Sequence, residues 1–454
     1  MRIYEAQMAL PPDELRRSGN YRRSTPILRM TAPIRRFLHI EAASGGVLLA
    51  CTGVALFLAN SAGAKAVHDF WEMTFRVGVG AWELDKPLHF WVNDLLMAIF
   101  FFVVGLEIKR EIVAGELSSP KKAALPVIAA FGGMLIPAAI YLAFNHTGAA
   151  ERGWGVPMAT DIAFVVGVMA AFGPRVPFGL KIFLLSLAIA DDMGAVLVIA
   201  VVYTDHLNAM MLALAAGGFG LVILLNWLGV RQVGVYAVVG AGIWLAVYKA
   251  GIHPTVAGVL LGLLTPATAW LNRETLRLAL TEVSGRLDDT SEVVELHPAD
   301  VAILRYAARE AVAPLQRIED RLHPWVGFVI MPVFALANAG VEIKPATILD
   351  PVALAIIAGL VLGKTVGIFG FSFLAVKLGV AKLPRGVTWP MMLAAGVLGG
   401  IGFTMSLFIA GLAFPPELQD AAKTGILAGS AIAVVAGAAL LAWSIRRVGI
   451  NTSR

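Results

Sequence analysis

Two adjacent carboxylates, Asp191 and Asp192, stand in the middle of an otherwise apolar stretch, Leu184-Leu185-Ser186-Leu187-Ala188-Ile189-Ala190-Asp191-Asp192-Met193-Gly194. Neighbouring helix positions point about 100° apart, so the two side chains cannot share one direction. One can face a water-filled cavity while the other faces a neighbouring helix. A purely structural buried pair, hydrogen-bonded to backbone, is the alternative. Three more ionisable residues interrupt apolar runs: Asp94, Asp161 and Lys364. Holding a charge at the bilayer centre costs about 2.5–3.5 kcal/mol on insertion scales, and such residues mark ion paths and proton relays by default. An unpaired ammonium at Lys364 would lose its proton or recruit a carboxylate, and Asp191 is the preferred partner. Snorkelling is the competing account, but about half a span separates Lys364 from either interface. Glu107 and Glu111 lie near the end of their run, where an interfacial ion pair with Lys109 or Arg110 explains them as well as function does.

The elements that carry these charges are apolar helices. Of 454 residues, 58% are hydrophobic and 15% charged, with mean hydropathy +0.78. Soluble domains carry about 25% charged residues, so the departure is toward the membrane. The 46 glycines suit helices whose backbones approach closely. Scanning for runs able to cross a bilayer core gives about twelve, from Ala42–Asn60 to Ala421–Ile445, with Pro254–Ala267 short for a full span. An even number puts both termini on one side. Roughly 21 basic residues fall on that side and about seven on the other, leaving out one long loop, so both termini are expected in the cytoplasm of a bacterial inner membrane. The net charge of +5 resides in arginines at membrane flanks, and with no free-standing basic domain a nucleic-acid partner is not expected. One cysteine, Cys51, allows no intrachain disulfide. The start of the chain is polar and arginine-rich without an apolar h-region, so it reads as a cytoplasmic tail over 1–35 and not as a signal peptide. The membrane transport domain is then 36–447, with a second cytoplasmic tail at 448–454.

Two connections stand out. Segment 61–87 carries Phe75, Val77, Val79 and Trp82 around Gly78 and Gly80, which reads as a small extracytoplasmic β-hairpin; an irregular loop is the alternative. Segment 268–323 is charged, with helical periodicity over Arg305–Arg321, and reads as an extended cytoplasmic loop.

Two spans contain breaks. Asp161 follows Pro157-Met158-Ala159-Thr160, and proline inside a helix removes a hydrogen bond and clashes with the preceding turn. Gly399-Gly400-Ile401-Gly402-Phe403-Thr404-Met405-Ser406 is glycine-rich where helix is disfavoured. Irregular backbone at membrane depth must line a cavity or lie buried in protein. A simple proline kink and close helix packing are the bland accounts. Taken together the breaks say more, because each falls in the middle helix of a three-span unit, Ala123–Tyr203 and Val352–Ile445. The first unit starts inside and the second outside, which makes them inverted-topology repeats. Paired broken segments in corresponding positions point to a transporter's midplane site. The fold class expected is an all-α integral membrane protein of about 12 transmembrane helices, with inverted-topology repeats and two discontinuous helices crossing at the midplane.

At this point the residues resemble a family. Gly105-Leu106-Glu107-Ile108-Lys109-Arg110-Glu111, Ala159-Thr160-Asp161-Ile162-Ala163-Phe164, Ala190-Asp191-Asp192-Met193-Gly194-Ala195 and the glycine-rich break look like signature stretches of NhaA-type sodium/proton antiporters, a family that itself exemplifies the inverted-repeat architecture. Leu322-His323-Pro324-Trp325 and Ala335-Leu336-Ala337-Asn338-Ala339-Gly340 resemble it too, and the motifs run in family order from about Arg36 to Arg447. The resemblance implies a sodium site at Asp192 and Asp161 with Thr160 beside it, and Asp191 paired to Lys364. It also implies a pH-responsive inner cluster around Glu107, Lys109, Glu111, Glu319 and His323, and it matches two further family positions, His253 as a pH-response residue and Asp94 as a supporting membrane charge. The chain departs from the pattern in its long tail, its long 268–323 loop, and Asp320 where members commonly carry a histidine.

The mechanism that follows is exchange at one site facing alternate sides, with carboxylates holding either sodium or protons. Lithium, another small hard cation, should share the site, and no cofactor is implied. Like charge and desolvation near Asp192 favour its protonated form, which brings proton exchange within reach of cytoplasmic pH. Two other functions could place carboxylates in such helices. A sodium-coupled solute symporter could use the same scaffold but needs room for an organic substrate. An intramembrane aspartyl protease would need Tyr-Asp and Gly-x-Gly-Asp signatures, and neither a Tyr-Asp nor a Gly-Asp dipeptide occurs.

Overall fold

The computed structural model describes residues 41–79, 82–204, 207–269, 271, 274–278, 281, 298–342 and 344–451. The tail expected over 1–35, the tip of the 61–87 hairpin and the middle of the 268–323 loop lie outside the described residues. The fold is mostly helical. In chain order the helices are α1 (Glu41–Ala59), α2 (Ala64–Trp71), α3 (Leu88–Ala114), α4 (Pro120–Phe144), α5 (Ile162–Ala171), α6 (Phe178–Val202), α7 (Ala209–Trp227), α8 (Val233–Lys249) and α9 (Thr255–Leu264). There follow α10 (Pro298–Glu310), α11 (Pro314–Trp325), α12 (Met331–Asn338), α13 (Pro351–Lys377), α14 (Trp389–Leu398), α15 (Phe403–Ala413) and α16 (Pro416–Asn451). Among the described residues, six helices are long and apolar enough to cross a membrane, or up to nine if each bent pair is one span.

Length and composition make these helices; proline and glycine stop or bend them. Pro157 ends a 3₁₀ segment, Gly148–Met158, and the chain runs extended through Ala159 before α5 leaves at 41° to it. Glycines end α14 at Leu398, and α15 leaves at 43°. The two breaks expected from sequence are therefore both present, and their angles nearly match. Between β1 (Thr74–Val79) and β2 (Trp82–Pro87) the hairpin is an antiparallel pair, with Val77 opposite Leu84 and Arg76 opposite Asp85. One element of segment 61–87 escaped the sequence reading: α2, turned 115° from α1. Segment 268–323 holds α10 and the start of α11, covering the helical periodicity seen there.

The interior forms one large apolar cluster and a smaller one. The large cluster takes in Phe101, Tyr141, Leu180, Phe334, Leu360 and Phe408. The smaller joins α7, α8 and α9 through Val222, Ile243, Val247 and Ala257. Helix α9 lies so close to α3 that a Cβ on Gly258 would sit 2.2 Å from the Ala98 carbonyl oxygen. That contact accounts for part of the glycine excess, since small residues let helices meet where lipid offers no hydrophobic drive.

Candidate functional site

Helix α6 carries Asp191 and Asp192 at its centre, and only 1% and 3% of their surfaces are exposed. Lys364 opens the last regular stretch of α13, directly after a π-helical turn at Gly359–Gly363. Such turns inside α-helices are frequent at functional sites. Gly363 lets α4 come near: a Cβ there would lie 2.7 Å from the Cα of Pro137. The Lys364 ammonium donates to Asp191 Oδ2, and both side chains are fully buried. The Thr160 hydroxyl lies 2.6 Å from the same Oδ2 and 2.8 Å from the Gly399 carbonyl oxygen. One hydroxyl proton faces two acceptors, so Thr160 can donate to the acid or to the second break, and changing partner needs only a rotation about one bond.

Asp161 binds the two breaks together. As N-cap of α5, its Oδ1 accepts the Phe164 N–H at 3.4 Å. Its Oδ2 accepts the Thr404 N–H at 3.1 Å and also the Thr404 hydroxyl, both from the first turn of α15. The Asp161 N–H donates to the Ile401 carbonyl at 2.6 Å, and Ser406 Oγ donates to the Val156 carbonyl at 2.8 Å. Two helix N-termini, each with partial positive charge, thus meet at one carboxylate. Thr404 was not singled out from sequence; its only signal was its place in the glycine-rich break.

Asp192 stands differently. Its Oδ1 is buried without a hydrogen-bond partner among the described residues, as is Asp191 Oδ1. Lys364 and Thr160 donate to Asp191, and Thr404 donates to Asp161. A buried carboxylate oxygen left open in this way is costly unless a proton or a cation fills it.

The remaining expected residues divide between the two ends of α3. At one end His253 Nε2 is 3.5 Å from Asp94 Oδ1, with His253 Nδ1 2.7 Å from Thr255 Oγ1. At the other, His323 Nδ1 is 3.7 Å from Glu107, and Arg110 pairs with Glu319 and lies 3.7 Å from Glu111. Glu111 also accepts the Glu116 N–H at 3.0 Å. Lys109 does not join the carboxylates; it donates to the Leu263 carbonyl at the end of α9, 2.6 Å away. His253 precedes α9, so that helix, about 15 Å long, separates it from Lys109. At this end of α3 the structure thus gathers Glu107 with His323, and Glu111 and Glu319 around Arg110. Burial pushes the Glu319 carboxyl up to about 7, against the opposing charge of Arg110. Burial also raises Asp320.

Comparison with known proteins decides what this arrangement belongs to. A family model described as Na+/H+ antiporter 1 matches residues 35–441. The chain belongs to that family. It is 51% identical over 421 residues to a Rhodopirellula baltica protein named Na(+)/H(+) antiporter NhaA, covering 92% of this chain and 96% of the relative. A protein of the same name from Oleidesulfovibrio alaskensis is 50% identical over 426 residues, covering 92% and 95%. Na(+)/H(+) antiporter NhaA 2 of Acidiphilium cryptum is 47% identical over 424 residues, covering 92% and 93%. The Na+/H+ antiporter 1 family is one of multi-pass membrane transporters and not of enzymes, and the long apolar helices of this chain agree with a membrane protein. The family resemblance drawn from the six sequence stretches is therefore correct.

Proposed function

We propose that the chain expels sodium in exchange for protons at a single site centred on Asp192, which faces the two sides of the bacterial inner membrane in turn. The observation that carries this is the open, buried Oδ1 of Asp192 beside the Asp191–Lys364 pair, at the junction of two broken helices in a Na+/H+ antiporter family member. A desolvated carboxylate cannot stay charged and unpartnered, so it holds a proton or a cation. Sodium would take Asp192 with Thr160 and Asp161 as further oxygen ligands, and protonation of Asp192 would release it. Lithium, equally hard and smaller, should compete for the same oxygens. The symporter reading loses its support to the family match, since the relatives carry antiporter names.

Several finer features belong to the same reading. About twelve crossings result if α1, α8, α9 and the α11–α12 stretch are counted with six long helices and two broken ones. The near-equal bends, 41° and 43°, and the hydrogen bonds between breaks support inverted repeats whose broken helices cross at the midplane. Both termini would be cytoplasmic, with 36–447 as the transport domain and 61–87 outside. The Glu107, Glu111, Glu319 and His323 group, in which burial raises the Glu319 carboxyl to about 7, would make exchange respond to cytoplasmic pH, and exchange is expected to be electrogenic. The hairpin offers backbone edges able to pair with a second copy across a two-fold axis, which supports a homodimer. Asp94, His253 and Lys109 would then support the charge balance of α3 and α9.

The test is sodium-induced dissipation of a pH gradient in everted vesicles, repeated across pH. Asp192→Asn should abolish the signal while the protein remains folded and membrane-inserted, because an amide neither carries the charge nor titrates. Near-normal exchange in that variant would overturn the assignment.

A further inference from the structure

Helix α2 follows α1 after a turn of only a few residues and departs at 115°. A helix so placed after a spanning helix runs close to the plane of the membrane. Its sequence, Ala-Lys-Ala-Val-His-Asp-Phe-Trp, is sharply two-faced. At 100° per residue, Val67, Phe70 and Trp71 fall on one stripe, while Lys65, His68 and Asp69 fall on the opposite one, joined by Glu72 at the C-cap. No residue of α2 is buried by the rest of the protein, and Phe70 is 51% exposed. Packing within the chain explains only part of the apolar stripe: Val67 and Trp71 are half-buried, Trp71 against the large apolar cluster, while Phe70 is left open.

We propose that α2 is an interfacial helix whose partner is the lipid surface itself. Val67, Phe70 and Trp71 enter the boundary between headgroups and acyl chains, and Lys65, His68 and Asp69 stay in water. Three features point to lipid as the occupant. The preceding helix α1 also leaves apolar side chains open, Phe57 in its last turn at 73% and Leu49 and Val54 besides, as a helix facing lipid does. Phe70 and Trp71 touch edge to face, 5.1 Å between centroids, which gives a bulky aromatic wedge of the kind that settles at membrane interfaces. The polar stripe mixes Lys65 and His68 with Asp69 and Glu72, so it carries no cationic surplus for anionic headgroups. Apolar insertion alone drives the contact, and neutral lipid suffices. Helices of this type sink about 5–10 Å into the boundary region. The turn between α1 and α2 is thereby pinned at a fixed depth, and the hairpin that follows is held against the membrane surface.

The chain has a single cysteine, so Cys51→Ser provides a background for site-directed spin labels in the full-length protein. Labels are placed at Phe70→Cys and Lys65→Cys, and the protein is reconstituted into phosphatidylcholine vesicles. Power saturation then compares collisions with oxygen, which concentrates in lipid, and with a water-soluble nickel chelate. The Phe70 label should favour oxygen and the Lys65 label the nickel chelate, with depth unchanged when anionic phosphatidylglycerol is added. A Phe70 label that favours the nickel chelate overturns the proposal. So does a Phe70 label shielded from both oxygen and the nickel chelate, because the stripe would then be covered by protein. If Phe70→Cys disturbs the fold, Val67→Cys and Trp71→Cys read the same stripe, and water exposure at both overturns the proposal equally.

Discussion

Lys364 donates its ammonium to Asp191 across 173 residues of sequence, and neither side chain has any exposed surface. Removing one partner of a buried pair leaves an uncompensated charge, which costs about 3–5 kcal/mol, whereas neutralising both is often tolerated. Asp191→Asn and Lys364→Gln should each lower the thermal midpoint of the purified protein. The double variant should recover most of the loss. Additive losses in the double variant would show that the pair contributes nothing as a pair.

Thr404 supplies two donors to one Asp161 oxygen, so at the proposed site sodium would compete with Thr404 for that carboxylate. Thr404→Val keeps the backbone N–H and the shape but deletes the hydroxyl. A hydrogen bond to a charged group contributes about 1.5–3 kcal/mol, so the apparent KM for sodium should fall by about tenfold. Turnover should fall too, because Thr404 no longer displaces the ion from Asp161. Thr404→Ser should behave as the parent does. Unchanged KM in the valine variant, or a serine variant that mimics it, would remove Thr404 from the exchange cycle.

Glu319 gives a stability test with a definite sign. Its carboxyl is raised by burial from an ordinary 4.5 to about 7, so the folded state binds the proton more tightly than the unfolded chain. Between those values the unfolded state holds fewer protons, and stability contributed by this group falls as pH rises. The contribution is complete below about 4.5 and lost by about 7. Relative to Glu319→Gln, the parent should therefore lose thermal stability between pH 5 and pH 7, within about a unit of each limit. A parent-minus-variant difference that is flat with pH would contradict the burial of this carboxylate.

Much of the site is legible in the sequence because charge inside an apolar run has no inexpensive explanation. Asp161, Asp191, Asp192 and Lys364 announce themselves by that rule, and Pro157 and the Gly399–Gly402 run mark the breaks by backbone chemistry. Thr404 was missed because a hydroxyl carries little hydropathy signal, and its partner lies 243 residues away. The polar knot of Asn93, Asn338 and His89 went unread for the same reason: its members meet only in the fold, with Asn338 Nδ2 2.8 Å from Asn93 Oδ1 and His89 Nε2 3.1 Å from Asn338 Oδ1. His253 and Lys109 belong to opposite ends of α9, a separation that family position alone does not convey. The amphipathic α2 escaped because eight residues are too few for a span and were read as part of a loop.

The last prediction concerns charge movement. If Asp192 and one other group each exchange a proton for every sodium bound, two protons enter for each sodium expelled. Each cycle then carries one net positive charge inward. The membrane potential acts on that charge with about 2.3 kcal/mol per 100 mV, enough to drive sodium out with no pH difference. Asp161, Asp191 and Lys364 are the groups within the site that could carry the second proton. Asp161 has both oxygens occupied by donors from the breaks, which disfavours it. Asp191 and Lys364 share one contact, so a proton lost there comes from the pair, and Lys364 is its only donor of a removable charge. Replacing Lys364 with a neutral residue should therefore make exchange electroneutral, with rates in proteoliposomes indifferent to a valinomycin-set potassium potential. The parent should respond to that potential in both directions. A parent that ignores it rules out the two-proton cycle, and a Lys364 variant that still responds moves the second proton to a carboxylate.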